Sequence, residues 1–375
     1  MNGHVHRSRR PGCRRPRHHR PQAAETDRSG TFPRASIDAL AKAGLLGLIS
    51  AEEVGGRGQD MKAAAEVIER VAGVCGSTAM VLLMHYAATA LIEAHGDKAT
   101  REAIAGNGHL TTLAFSETGS RSHFWAPLGT AEADGEQVRL DSDKSWVTAA
   151  GEADSYVWSS RPLAADGPMT IWLVASDAAG LDVGGPFDGF GLRGNASNPV
   201  KGKGVTVSRS AMLGADGEGL NQALASALPF FLVLNASFSL GLMEALVAKA
   251  HDHLVGARLD HLGQSLADQP QLRASFAQLR TRTDTVRTFR DDTLAALGSG
   301  RADATLRVLQ VKAVAGEAAA EVADGVMRVC GGSAFRKSTG VERLFRDSLA
   351  ARVMAPTTEA LHDFVGRATL GLPLF

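Results

Sequence analysis

Carboxylates and imidazoles are side-chain types of this chain that could carry proton chemistry. Glu359 and His362 fall in "MAPTTEALHDFVGR" (354–367), and His85 falls in "AMVLLMHYAATALIEA" (79–94). A positioned carboxylate or imidazole can hold or remove a proton near neutral pH. A lone His at a helical position is more commonly structural, and Glu359 is a carboxylate at such a position. It follows Pro356, which suits the first turn of a helix, so it reads either as an inward-facing base or as a capping carboxylate at the surface. Gly331 and Gly332, adjacent in "CGGSAF", let a backbone approach a ligand that side chains would block, or simply end a helix. Cys13, Cys75 and Cys330 are scattered without CxxC spacing. Neither a metal site nor a disulfide framework is therefore expected, and a reduced, cytoplasmic setting is the default.

The elements that must position these residues change in texture along the chain. "SIDALAKAGLLGLISAEEVGG" has helical apolar spacing and a break at Gly55–Gly56, and two more helical segments are expected at roughly 61–74 and 78–96. From about 111, short β-rich segments separated by Gly, Asp and Pro take over, among them "SYVWSS" and "MTIWLVAS". Beyond about 220, long Ala/Leu/Arg-rich helical stretches return. The expected fold is α+β and mostly helical: an N-terminal helical domain (31–110), a middle β domain (111–212) and a C-terminal helical bundle (213–375). Residues 1–30 are expected to be a disordered basic tail, because "HVHRSRRPGCRRPRHHRP" (4–21) has almost nothing to bury.

At 375 residues with 44% hydrophobic content, the chain is long enough to fold around a substantial core. Forty basic and forty acidic residues cancel, so no global field points to nucleic acid. No apolar run is expected to span a membrane.

Four motifs, in order, resemble the acyl-CoA dehydrogenase family. "AFSETGSRS" (114–122) resembles its flavin loop, and "KSWVTAAGEAD" (144–154) its Lys-x-Trp-Ile-Thr segment. "GLRGNAS" (191–197) resembles its Gly-x-Arg-x-Ser turn, and "CGGSAFRKSTGVERLFRD" (330–347) its Gly-Gly-x-Gly-Phe…Arg-Asp segment. The resemblance covers about residues 33–375. It implies a flavin, FAD or alternatively FMN, with Phe115 and Ser116 along the ring edge, Trp146 over one ring face and Thr148 near N5. It further implies that Arg258, Arg328, Gly331 and Gly332 meet the flavin, the glycine pair serving that of a neighbouring subunit, so a homotetramer or homodimer is expected. Thr357 would touch the cofactor, and Ser122 would lie near the substrate.

The chain departs from the family pattern where the chemistry is most demanding. Counting from "FRD", the family's catalytic Glu falls on Ala355, and the alternative Glu position on another helix reads Phe231. Arg328 stands where the family usually has Gln, Ala334 where it has Gly, and His123 where it has Asp. Ala355 could still offer its backbone N–H to a thioester oxygen. Glu359, four residues on and about 6 Å further along a continuous helix, is the substitute base to weigh.

Three activities follow as expectations. One is α,β-dehydrogenation of an acyl thioester, on CoA or a carrier protein, with hydride transfer to flavin N5 and electrons passing to an electron-transferring flavoprotein or another acceptor. The second is a monooxygenase of the same fold, using reduced flavin and O2 on a small apolar substrate. The third is a catalytically inactive structural homologue.

Overall fold

The computed structural model describes residues 20–120 and 123–374. Its N-terminal part holds α1 (Arg20–Ser29), α2 (Arg34–Lys42), α3 (Met61–Ala72), α4 (Gly76–His95) and α5 (Lys98–Ala105). Asp60 caps α3 by accepting from the Ala63 N–H, and Asp97 caps α5 through the Thr100 N–H. The expectation of disorder over 1–30 is corrected by α1. Ala23 and Thr26 of this helix are buried, and both Asp27 carboxylate oxygens accept from Arg346, at 2.9 and 2.6 Å. A short helix with one buried stripe and one bidentate ion pair has the partners that the sequence of the tail does not display. Residues 1–19, which carry most of the basic run, lie outside the described residues.

Seven strands build the middle domain: β1 (Thr111–Ala114), β2 (Thr130–Asp134), β3 (Gln137–Val147), β4 (Ser155–Ser160), β5 (Thr170–Ala175), β6 (Leu181–Val183) and β7 (Asn198–Ser208). They form two sheets, of order β1-β4-β5 and β2-β3-β7-β6. Along β3, Val138, Leu140, Ser142 and Lys144 are buried, while Gln137, Arg139 and Asp143 are exposed. The alternation breaks between Lys144 and Val147, where the register against β7 shifts. A bulge of this kind re-aims a side chain. The residue re-aimed here is Trp146, held at φ +54°.

The C-terminal part contains α6 (Gly219–Gln222), which runs through a π-helical turn (Ala223–Ala227) into α7 (Leu228–Gly256). After a two-stranded hairpin of β8 (Arg258–Leu259) and β9 (Gln264–Ser265) come α8 (Pro270–Ser299), α9 (Ala304–Cys330), α10 (Val341–Ser348), α11 (Ala350–Val353) and α12 (Thr358–Leu370). α7 is the central post, packed against α3, α4, α8, α9 and α10. Its crossing with α3 is close: a Cβ at Gly241 would lie 2.2 Å from the Glu69 carbonyl oxygen. Any larger residue there would force the helices apart.

Two helical stretches, Gly76–His95 and Gly219–Gly256, are long and apolar enough to cross a membrane by length and composition. That corrects the expectation that no run has this character. Their hydrophobic windows are 78% and 89% buried against other elements, which is the environment of core helices.

Candidate functional site

One cleft draws its walls from all three parts of the chain. It is lined by Met84 of α4, by Leu113, Phe115 and Ser116 on and after β1, by Phe124, and by Ser145 and Trp146 at the end of β3. Ala223 and Ala227 of the π-helical turn, Leu228 and Phe231 of α7, and Ala355 and Pro356 complete it. Phe115, Ser116, Trp146, Phe231 and Ala355, which the sequence reading placed at cofactor or substrate, therefore share one concavity. No Asp, Glu, His, Lys or Arg is among the described residues that line it. Its walls are apolar, with the two serines as the hydroxyl-bearing side chains.

Trp146 is 70% exposed beside this cleft, with the Phe187 ring edge-on at 6.4 Å. An indole with positive φ sits in sparsely populated backbone space, at a cost of about 1–3 kcal/mol. The serines beside it are tied together, since the Ser145 N–H donates to the Ser116 carbonyl at 2.8 Å. Thr148 is buried, its hydroxyl 3.2 Å from that of Ser197.

Beneath Ser116 and Trp146 lies a buried ion pair that sequence reasoning missed. Lys144 Nζ donates to Glu117 Oε1 at 2.6 Å, to the Ser159 carbonyl at 2.6 Å and to Ser159 Oγ at 2.9 Å. Glu117 also accepts from Ser142 Oγ at 2.8 Å and from the N–H groups of Leu128 and Gly129. Burial pulls the Lys144 ammonium down to about 8 against the attraction of Glu117. Burial pushes the Glu117 carboxyl up, but Lys144 and the hydrogen bonds outweigh it and hold the group below its usual range. The pair is thus ionised at neutral pH, and it pins the loop after β1 to β3 and β4. The signal available in the sequence was the Glu next to Ser116 and the Lys two residues before Trp146.

The stretch around 355 does not form the continuous helix that the Glu359 expectation required. α11 ends at Val353, residues 354–357 form a turn with a cis Ala355–Pro356 bond, and α12 begins at Thr358. A proline lacks the N–H that would carry a helix through this point. Glu359 is consequently exposed in the first turn of α12 and does not line the cleft. Hydrogen bonds from its own N–H and from Thr357 hold its carboxyl below the usual range. Thr357 is the N-cap of that helix, its Oγ1 accepting from the Ala360 N–H at 3.4 Å. His85 is buried, with Nε2 3.0 Å from the Leu46 carbonyl and Nδ1 accepting from the Thr111 N–H at 3.2 Å. Burial pulls its imidazole down to about 4, so it is a neutral packing residue.

Lys312 of α9 is a second residue that the sequence reading passed over. It is 1% exposed, and its Nζ donates to the carbonyls of Ala351, Met354 and Pro356 at 2.7, 2.9 and 2.8 Å. The Phe231 ring centroid lies 5.8 Å from the same Nζ. Burial pulls the ammonium down to about 7, with Glu359 pushing back. A single Lys in the apolar run "VLQVKAVAG" was the available signal.

The remaining expected cofactor residues stand apart from the cleft. Arg258 on the β8–β9 hairpin, Arg328 near the end of α9, and Gly331 and Gly332 just beyond it are exposed. Gly331 has φ +55° and ψ −141°, backbone space that is essentially glycine's alone, and open space surrounds both glycines where a Cβ would stand. Ser122 lies outside the described residues. Among the described residues, no cluster of His, Cys, Asp and Glu suits a metal ion, and Cys75 and Cys330 are free and buried.

Three family models match the chain: the acyl-CoA dehydrogenase N-terminal domain over 16–106, the middle domain over 112–205 and the C-terminal domain over 217–370. The cyclohex-1-ene-1-carbonyl-CoA dehydrogenase of Geobacter metallireducens is 25% identical over 361 residues, 93% of each chain. The human mitochondrial short-chain specific acyl-CoA dehydrogenase is 25% identical over 349 residues, 90% of this chain and 83% of the relative. Among solved structures, butyryl-CoA dehydrogenase from Megasphaera elsdenii superposes with a TM-score of 0.88 at 21% identity, covering 94% of each chain. FkbI, described as serving biosynthesis of the methoxymalonyl extender unit of a polyketide, superposes with a TM-score of 0.83 at 25% identity, covering 94% of this chain and 97% of its own.

Proposed function

Because this chain belongs to the acyl-CoA dehydrogenase family and is an oxidoreductase of that kind, we propose that its cleft takes the acyl part of an apolar thioester for α,β-dehydrogenation, with FAD as cofactor. The observation that carries this reading is the convergence of Ser116, Ser145, Trp146 and Ala355 on a single apolar cleft. Phe115, Ser116 and Trp146 would hold the flavin ring, with Thr148 and Thr357 as neighbours. Arg258, Arg328, Gly331 and Gly332, exposed and away from this cleft, would meet the flavin of a neighbouring subunit in a homo-oligomer.

When bound, the flavin supplies a hydride acceptor at N5. The chain's own contributions are different. Met84, Leu113, Phe124, Ala227, Leu228 and Phe231 form the apolar wall against which the acyl chain packs. The Ala355 N–H, which donates to no acceptor among the described residues, faces a substrate carbonyl oxygen. The α-proton passes to a water molecule at the mouth of the cleft, because no carboxylate from position 355, 359 or 231 lines it. Electrons pass to an electron-transferring flavoprotein or an equivalent acceptor.

The absence of a titratable side chain from the described lining favours one second reading. Oxygen-dependent hydroxylation with reduced flavin needs no base for an α-proton, and the same apolar cleft would serve it. A spectrum of the reconstituted protein separates the two. Anaerobic bleaching of the oxidised flavin band by acyl-CoA or acyl-carrier-protein thioesters supports dehydrogenation. A yellow protein that no thioester bleaches, and whose externally reduced flavin consumes O2 with hydroxylation of an apolar compound, overturns it. Trp146→Ala should weaken flavin binding at least ten-fold with little change in stability, because the indole is mostly exposed.

A further inference from the structure

Lys312 lies behind the wall of the cleft and plays no part in the reading given above. Its ammonium has three N–H donors, and all three are used on carbonyls of one short segment: Ala351 at the last turn of α11, then Met354 and Pro356. The Met354 carbonyl belongs to the same peptide unit as the Ala355 N–H. That unit is planar and trans, so its C=O and N–H point in opposite directions. With Nζ 2.9 Å from the oxygen on one side, the Ala355 N–H is turned to the other, on the residue that lines the cleft. The same Nζ faces the ring of Phe231, which lines the cleft as well. One buried cation thus holds the turn that carries Ala355 and lies 5.8 Å from the Phe231 ring centroid.

We propose that Lys312 is a positioning residue for carbonyl recognition: its ammonium, through the Met354–Ala355 peptide, aims and polarises the Ala355 N–H toward the carbonyl oxygen of the substrate. A hydrogen bond from a cation to an amide oxygen draws electron density off the nitrogen and makes its N–H a stronger donor, as in any hydrogen-bonded chain in a low-dielectric interior. A backbone N–H fixed in this way stabilises negative charge on the substrate oxygen without reorganising during the reaction. No proton moves between Lys312 and substrate, and no bond to it forms or breaks. The proposal rests on the thioester reading for the identity of the carbonyl, while the geometry of the turn is independent of it.

The test uses the full-length, flavin-loaded protein and Lys312→Met, which keeps much of the stem and removes the donors. Two readouts are taken: the infrared C=O stretch of a bound acyl-CoA labelled with 13C at the thioester carbon, and hydrogen exchange of the segment 351–358. In the parent protein the bound carbonyl should shift to lower frequency than in water. Lys312→Met should lose at least half of that shift, lower kcat at least ten-fold with KM changed less than three-fold, and accelerate exchange across 351–358 at least ten-fold. An unchanged carbonyl shift in a folded Lys312→Met protein overturns the proposal. If the parent protein binds no thioester, the thioester reading fails by itself; exchange then decides, with equal protection of 351–358 in parent and variant overturning the role of Lys312 and faster exchange sustaining it. Should Lys312→Met not fold, Lys312→Gln, which keeps two N–H donors but removes the positive charge, should still lose part of the carbonyl shift, and an unchanged shift in it overturns the proposal.

Discussion

Replacing Lys144 by Met tests whether the proposed flavin site depends on the buried Lys144–Glu117 pair. Lys144 is fully buried and Glu117 is 2% exposed, so the substitution leaves a carboxylate in the interior without its cation. It also removes the donors to the Ser159 carbonyl and hydroxyl. Methionine fills most of the lysine stem, so little of the effect comes from a cavity. Breaking one side of a buried pair costs about 3–5 kcal/mol. Urea unfolding at pH 7 should therefore show a loss of that size, and flavin affinity should fall at least ten-fold, because Ser116 adjoins Glu117 and Trp146 lies two residues after Lys144. Adding Glu117→Gln to Lys144→Met removes the unpaired charge and should recover about 2 kcal/mol or more. The pH dependence has a definite sign. Glu117 is held below its usual range, so its contribution is present above pH 4.5, the ordinary carboxyl value, and is lost as pH falls through the lower value of the folded state. A Lys144→Met protein within about 1 kcal/mol of the parent, with unchanged flavin affinity, would refute this account by showing that the pair is effectively hydrated.

Three further outcomes are expected. Ala355→Glu places a carboxylate in the cleft and should speed anaerobic flavin reduction by an acyl-CoA about a hundred-fold or more, the usual worth of a positioned base; no gain at any pH from 6 to 9 would count against the thioester reading. Glu359→Gln should leave that rate within two-fold, since the side chain is exposed on α12, and a ten-fold loss would return it to the list of bases. His85 has its imidazole lowered from 6.5 to about 4, so the unfolded chain takes up its proton first and stability falls as pH drops through that window, by up to about 3 kcal/mol. The stability advantage of the parent over His85→Gln, measured by urea unfolding at pH 7.5 and 4.5, should shrink accordingly.

The order of helices, sheet and helices was legible because apolar periodicity changes from helical to alternating near 111 and back beyond about 220. The cleft residues that could be read were those in local motifs: "AFSE" put Phe115 and Ser116 on one loop, and "KSW" put Trp146 at the end of a strand. What could not be read was pairing over distance. Glu117 and Lys144 are 27 positions apart, and Lys312 meets the Ala351–Pro356 segment across 39 to 44 positions. No periodicity announces such contacts; only the packing of α9 against α11 and α12 creates the second. α1 escaped for the same reason, since its anchor is Arg346 at the other end of the chain. Of the two readings of Glu359, the structure agrees with the exposed one, and the reason was visible in Pro356, which lacks the N–H that would carry α11 on past 355.

Ala355 and Phe231 are the two positions where the family resemblance would put a carboxylate, and both line the same cleft. Had one been acidic, its apolar counterpart would mean only that the base had moved between helices. With both apolar, neither position brings a carboxylate to the lining. On the proposed thioester reading, the Ala355 N–H would lower the energy of negative charge on the substrate oxygen while proton removal is left to water. That combination suits an acyl group whose α-hydrogen is already acidified by its own substituents, or a reaction that takes no α-proton at all. The apolar pair therefore bears on the choice of substrate more directly than on whether the fold is active. Lys312, which touches the segment carrying Ala355 and the ring of Phe231, is the physical link between the two positions.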